Sequence, residues 1–145
     1  MIVPCYRQEF WYSCFATCVK MILEYYGIRK SERDLRVLLK TTPRFGTFWP
    51  IPAKEIKHIG FELIWKKFWS LEEISSIIRQ SIPIIVGVQG KTDIDKHAVV
   101  LLEVSEENVT VADPDNGELV KIRMTKFLEM WNERDGIAGY LKKIN

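Results

Sequence analysis

Four side chains in this sequence have types and settings that suit acyl transfer. Cys14 falls in the first turn of a helical pattern, where the partial positive end of the helix favours a thiolate nucleophile. Such a nucleophile needs a base within hydrogen-bond reach and a third group to orient that base. Of the 2 histidines, His58 lies in the Lys-rich stretch Lys54 to His58, which reads as a solvated helix face. His97 instead opens the apolar run His97-Ala98-Val99-Val100-Leu101-Leu102, where a polar ring at the end of a strand stands out. Asp113 closes the next β-like run, and Pro114 stops the ladder behind it. The two can meet across a hairpin, but the turn residues run from Ser105 to Asn108, so direct opposition requires an early turn or a bulge. Asp115 is a rival partner, in an Asp-Pro-Asp-Asn-Gly stretch that otherwise reads as a turn. For the oxyanion of an acyl-transfer reaction, the Cys14 amide at the helix start supplies one donor and the Gln8 carboxamide a candidate second. Each residue has a plainer reading alone: a buried thiol, a capped strand end, a turn aspartate, a solvated loop amide. Their company gives the set its meaning.

The elements that must position these groups follow from periodicity and punctuation. Ser13 can cap a helix from Cys14 to Tyr26, with Phe15, Val19, Ile22 and Tyr26 on one stripe and Gly27 in the stop position. Ser31 with Asp34 starts a second helix that Pro43 ends, and Pro52 opens a third through Ile59. Phe61 to Phe68 reads as a strand, and Ser70 with Glu73 forms a capping box ahead of Ile74, Ile77 and Ile78. From Pro83 the pattern turns to short β-branched runs: Ile84 to Gln89, His97 to Val104, Val109 to Ala112 and Glu118 to Arg123. A helix from Thr125 to Arg134 and a strand from Ala138 to Ile144 follow. Helices first and an antiparallel meander after them is an α+β order, with the first helix expected to pack on the sheet.

Composition bounds the rest. A chain of 145 residues, 47% hydrophobic and 28% charged, reads as a single domain over residues 1–145 with a core of its own, and excludes disorder as a main theme. A net charge of +2 gives no reason to expect a polyanionic partner. The longest apolar stretch, Ile82 to Val88, is far below the ~18–20 residues that span a bilayer, and no signal peptide is visible. With 3 cysteines, Cys5, Cys14 and Cys18, and no secreted disulfide pattern, a reducing cytoplasm is the simpler setting; the state of Cys5 stays open. Cys14 and Cys18 lack the spacing of a structural zinc site, so Cys18 reads as core, and no cofactor or metal is expected. Trp65-Lys66-Lys67-Phe68-Trp69 mixes aromatics and cations as single-strand nucleic-acid platforms do, but strand alternation explains it more simply.

Gln8 and Cys14 in Val3-Pro4…Gln8…Ser13-Cys14-Phe15-Ala16, the helix ending Tyr25-Tyr26-Gly27, then His97-Ala98-Val99-Val100 and Val109-Thr110-Val111-Ala112-Asp113-Pro114…Gly117 resemble the bacteriocin-processing cysteine peptidases. The similarity runs in order through nearly the whole chain, with Phe127 and Trp131 fitting a downstream Phe…Trp pattern. It implies a papain-like fold that cuts leader peptides after a double glycine. It also implies roles: Cys14 as nucleophile, His97 as general base and acid, Asp113 as the residue orienting the imidazole, and Gln8 as oxyanion donor. A peptide or protein substrate follows, with a separate transporter as a possible partner, because family peptidases often belong to export transporters. Two positions depart from the family pattern, Ser13 for a common Asp and Phe15 for a common Gly. A ring at position 15 is expected to reshape or block the narrow groove that a double glycine needs. A related thiol acyltransferase and a degenerate module that binds leaders without cutting them are the alternatives.

Overall fold

The computed structural model describes residues 1–44, 46–90 and 96–145. The element order is α1 (Cys14–Tyr25), α2 (Glu32–Leu38), α3 (Pro50–Glu55) with a 3-10 turn (Ile56–Ile59), β1 (Phe61–Lys66), α4 (Leu71–Arg79), β2 (Ile84–Gln89), β3 (Lys96–Val104), β4 (Asn108–Asp113), β5 (Glu118–Arg123), α5 (Met124–Asn132) and β6 (Ala138–Lys143). The strands form one antiparallel sheet of 6 in the order β1-β6-β2-β3-β4-β5. The meander from β2 to β5 is the one expected. The last strand then returns to fill the gap between β1 and β2.

β3 is buried on both faces from Ala98 to Leu102, so both faces must be covered. Ala98, Val100 and Leu102 pack with α1 residues such as Ala16, Val19 and Leu23, together with Leu35 of α2. Val99 and Leu101 pack on the opposite side with Ile74 of α4 and with Phe127 and Trp131 of α5, whose rings stack at 5.6 Å. The helices are thus split between two layers, with α1 buried nearly all round because it fills the space between the N-terminal segment and the sheet.

Local chemistry accounts for most boundaries. Ser31 accepts from the Asp34 amide at 3.0 Å, and Ser70 with Glu73 forms the complete reciprocal box. Helix α1 ends at Tyr25, and Gly27 follows at φ +85°, a conformation that suits a residue without Cβ. Several ends shift by one or two residues, among them β1 at Lys66 and α5 over Met124–Asn132, and two helix starts differ in their chemistry. The third helix starts at Pro50 rather than Pro52, with both prolines in its first turn, where a missing N–H costs nothing. Ser13 occupies the N-cap position of α1 but does not cap it: its hydroxyl turns back, accepting from the Phe10 amide at 3.1 Å and donating to the Phe10 carbonyl at 2.9 Å. The hydroxyl therefore closes the Phe10–Ser13 turn that delivers the chain to Cys14.

The remaining motifs have ordinary partners. Lys66 pairs with Glu73 at 3.0 Å and lies over the Trp69 ring, and Lys67 pairs with Asp135 at 3.6 Å. His58 is exposed and pairs with Glu55 at 3.3 Å. Among the described residues no helix is long and apolar enough to cross a membrane.

Candidate active site

The site forms where the N-terminal end of α1 meets the start of β3 and the end of β4. Strand alternation puts His97, Val99 and Asp113 on one face. A bulge between Leu101 and Glu103 shifts the β3–β4 register by one residue, so that Val100 pairs with Ala112. Asp113 therefore falls one step beyond that pair and meets His97 diagonally rather than head-on. Its Oδ1 lies 2.7 Å from His97 Nε2. The same oxygen accepts the Asp115 amide at 2.9 Å, so the turn residue that rivalled Asp113 braces it instead.

Cys14 also acts on the His97 ring, and the two side chains line one cavity. With Nε2 engaged by Asp113, Nδ1 is the ring nitrogen left for the sulfur. Burial disfavours the charged ring, but the hydrogen bonds to Asp113 and Cys14 and the charges of both groups outweigh it, raising the imidazole from 6.5 to about 10. The net effect of these neighbours favours the charged ring. All three cysteines are free thiols. Cys18 is fully buried, and that burial, reinforced by the negative charges of Cys14 and Asp113, pushes its thiol well up; burial also raises Cys5. Neither is placed for nucleophilic work.

Gln8 reaches the site along the N-terminal segment. Its amide donates to the Pro114 carbonyl at 2.7 Å, tying the segment to the turn that carries Asp113. Its side-chain Nε2 gives one hydrogen to the Phe10 carbonyl at 2.8 Å and has a second to offer. Its Oε1 is buried with no hydrogen-bond partner among the described residues. A buried carboxylate holds this entry segment against α1: Glu32 accepts from the Glu9 amide at 2.9 Å and from the Thr17 hydroxyl, and pairs with Arg36 at 3.1 Å. Sequence reasoning did not single out Glu32; nothing local signals a partner on α1.

Two cavities open on either side of His97. One, of 870 Å³, is lined by Gln8, Trp11, His97 and Asp113 together with the acidic side chains of Asp115 and Glu129. The other, of 220 Å³, holds Cys14 and is walled by Trp11, Tyr12, Trp49 and Gly87. Phe15 does not fill it. The ring is 3% exposed and packs edge-to-face on Trp49 at 4.8 Å, forming part of the groove's lining from the core side. The groove also contains Arg134, which the sequence presented as an ordinary cation at the end of a helix. Among the described residues no group of three or more His, Cys, Asp or Glu could hold a metal ion.

A helix delivering a cysteine to the end of an antiparallel sheet is the architecture of papain-like cysteine peptidases. A model of the peptidase C39 family matches residues 3–135, and the chain belongs to that family. Solved structures with the same fold include a double glycine motif protease from an AMS/PCAT transporter in complex with the leader peptide, 23% identical at a TM-score of 0.80 over 98% of this chain and 92% of that one. They also include the peptidase domain of Streptococcus ComA, a bifunctional ABC transporter of a quorum-sensing pathway, at 22% identity and a TM-score of 0.80 over 98% of each chain. A C39-like peptidase from Bacillus anthracis is 17% identical, with a TM-score of 0.78 over 99% of this chain and 96% of that one. No curated protein matches the chain significantly.

Proposed function

We propose that this domain hydrolyses peptide bonds at double-glycine or similar small-residue sites of leader peptides, with Cys14 as nucleophile, His97 as acid and base, Asp113 as the orienting carboxylate and Gln8 as an oxyanion donor. The observation that carries this reading is the His97 imidazole held by Asp113 Oδ1 at 2.7 Å from Nε2 while lining the same groove as Cys14. These groups come from separate elements, and the arrangement supplies the nucleophile with the neighbouring base and orienting carboxylate that thiol catalysis needs.

In the first step the thiolate attacks the scissile carbonyl carbon. A C–S bond forms and the π electrons move to oxygen, where the Cys14 amide, lacking an intrahelical acceptor, and the second hydrogen of Gln8 Nε2 stabilise the oxyanion. Collapse breaks the C–N bond as His97 gives its proton to the departing amine. Neutral His97 then takes a proton from water, which attacks the thioester. The C–S bond breaks, the acid leaves, and the thiolate–imidazolium pair is restored. Asp113 holds the ring and stabilises its charge throughout.

The narrow aromatic groove beside Cys14 suits residues with little or no side chain next to the scissile bond. The leader peptide bound to one transporter-linked structure of this fold suggests a substrate destined for export by a transporter, with cleavage on the cytoplasmic side. The test is mass spectrometry of synthetic Gly-Gly leader peptides incubated with the wild-type domain and with Cys14→Ala. Cleavage after the second glycine, absent in the variant, supports the proposal. Intact peptides with both proteins would sink it, and transfer to an added amine in place of hydrolysis would make the enzyme an acyltransferase.

A further inference from the structure

The groove that holds Cys14 has a charge pattern that the cleavage chemistry does not require. Its Lys and Arg lining consists of Arg44, Lys96 and Arg134, and among the described residues no Asp or Glu lines it. Across His97 the sign reverses: Asp113, Asp115, Glu129 and Glu133 line the larger cavity, with Lys126 its one Lys or Arg among the described residues.

Arg134 is the best placed of the three cations. It sits half-buried on the tight turn after α5, where its amide donates to the Trp131 carbonyl at 3.0 Å and its carbonyl accepts from the Ile137 amide at 3.2 Å. Trp131 is a core anchor, so the turn is rigid. The guanidinium lies behind β2, its carbon 3.9 Å from where a Cβ on Gly87 would stand. Its side chain makes no hydrogen bond or ion pair among the described residues. Burial lowers its pKa, while the negative charge of Cys14 and that of Asp135 act the other way, so its field reaches the nucleophile. A guanidinium carries a fork of donors that matches a carboxylate, and leaving it half-desolvated without an acceptor is costly unless a ligand completes it.

We infer that Arg134 is a specificity residue that receives an acidic side chain, Asp or Glu, of the substrate segment lying in the Cys14 groove. This rests on the reading of the groove as the peptide site. The small residues beside the scissile bond leave the nearby guanidinium open, and an extended peptide advances ~3.3 Å per residue, so a carboxylate a few positions from the bond can reach it. The acidic cavity across His97 disfavours the same carboxylate there and so sets the direction in which the peptide lies.

Binding without turnover provides the test. Cys14→Ala protein is titrated, by fluorescence anisotropy, with labelled Gly-Gly peptides carrying Glu, Gln or Lys in turn at each position flanking the glycines. Glu at one position should bind about tenfold tighter than Gln, in the range of a charged hydrogen bond, with Lys weaker and the Glu advantage shrinking as salt rises. Adding Arg134→Met should make Glu and Gln equivalent, and Arg134→Lys should keep part of the difference. The inference is overturned if Glu and Gln bind alike at every position, if no peptide binds, or if the preference survives Arg134→Met. Glu-selective binding alongside failure of the wild-type domain to cut any of these peptides would leave the inference standing and sink the hydrolytic reading instead.

Discussion

The titration of His97 can be taken apart one partner at a time. Burial opposes the charged ring, and Asp113 and Cys14 together overcome it to carry the imidazole from 6.5 to about 10. That rise corresponds to roughly 5 kcal/mol in favour of the imidazolium, at about 1.4 kcal/mol per tenfold change. Cys14→Ala removes the sulfur's share and leaves Asp113, so the midpoint should fall yet stay above 6.5. Adding Asp113→Ala leaves burial alone, and the midpoint should drop below 6.5. Ring-proton and ring-carbon NMR resolves this directly, because the sequence has only 2 histidines and His58→Gln assigns the second. Linkage adds a check on sign. The folded midpoint lies above the unfolded one, so the stabilisation from His97 is complete below pH 6.5 and lost as pH rises towards 10. Urea unfolding of the wild type should therefore weaken across that window, and the double variant should lack this component. A wild-type midpoint at or below 6.5, or a double variant still above it, would refute the electrostatic account of the site.

Three substitutions away from the reacting atoms test how the site is held. Glu32→Ala removes a carboxylate that is 2% exposed and strands the Glu9 amide, leaving Arg36 with Glu9 at 3.8 Å and the Thr17 hydroxyl with the Ser13 carbonyl at 2.9 Å. It should cost about 1–3 kcal/mol in urea melts and reduce kcat, with a loss below about 1 kcal/mol contradicting the network's role. Gly87→Ala would place a Cβ 2.5 Å from Ile137 Cγ2, on the groove wall. A destabilisation of about 1–3 kcal/mol with a raised KM is expected, and a neutral variant by both measures would argue against the close packing. Gly117 has φ +72°, and a Cβ there would lie 2.8 Å from the Arg7 amide nitrogen. Gly117→Ala should cost at least about 1 kcal/mol and lower kcat by loosening the Gln8–Pro114 tie, whereas unchanged kinetics would separate that tie from activity.

Elements specified by neighbouring residues were legible in the sequence. The capping residues Ser31 and Ser70, the stop at Gly27 and the strands Ile84–Gln89 and Glu118–Arg123 depend on short-range chemistry, and each stands where the pattern places it. What depends on distant partners was not. Ser13 has the right type and position for a cap, but the turn from Phe10 takes its hydroxyl. Strand β6 pairs with β1 across about half of the chain's length, and no local signal sets that order. The meeting of His97 and Asp113 was foreseeable as a hairpin contact, while its diagonal geometry comes from the Leu101–Glu103 bulge. Phe15 looked like an obstruction because sequence shows a ring's size and not its direction; Trp49 draws it into the core. Arg134 shows the same limit, since a cation near a helix end looks alike whether it faces water or the Cys14 groove.

The central claim is that Cys14 is activated by His97. Its most direct test is the pH dependence of iodoacetamide labelling of each cysteine, read by peptide mass spectrometry, in the wild type and in His97→Ala. The account predicts rapid labelling of Cys14 that persists below about pH 7, slow labelling of the buried Cys18, and loss of the low-pH reactivity of Cys14 in the variant. Labelling of Cys14 only near about pH 8.5, as for an ordinary thiol, or a profile identical in His97→Ala, would contradict it.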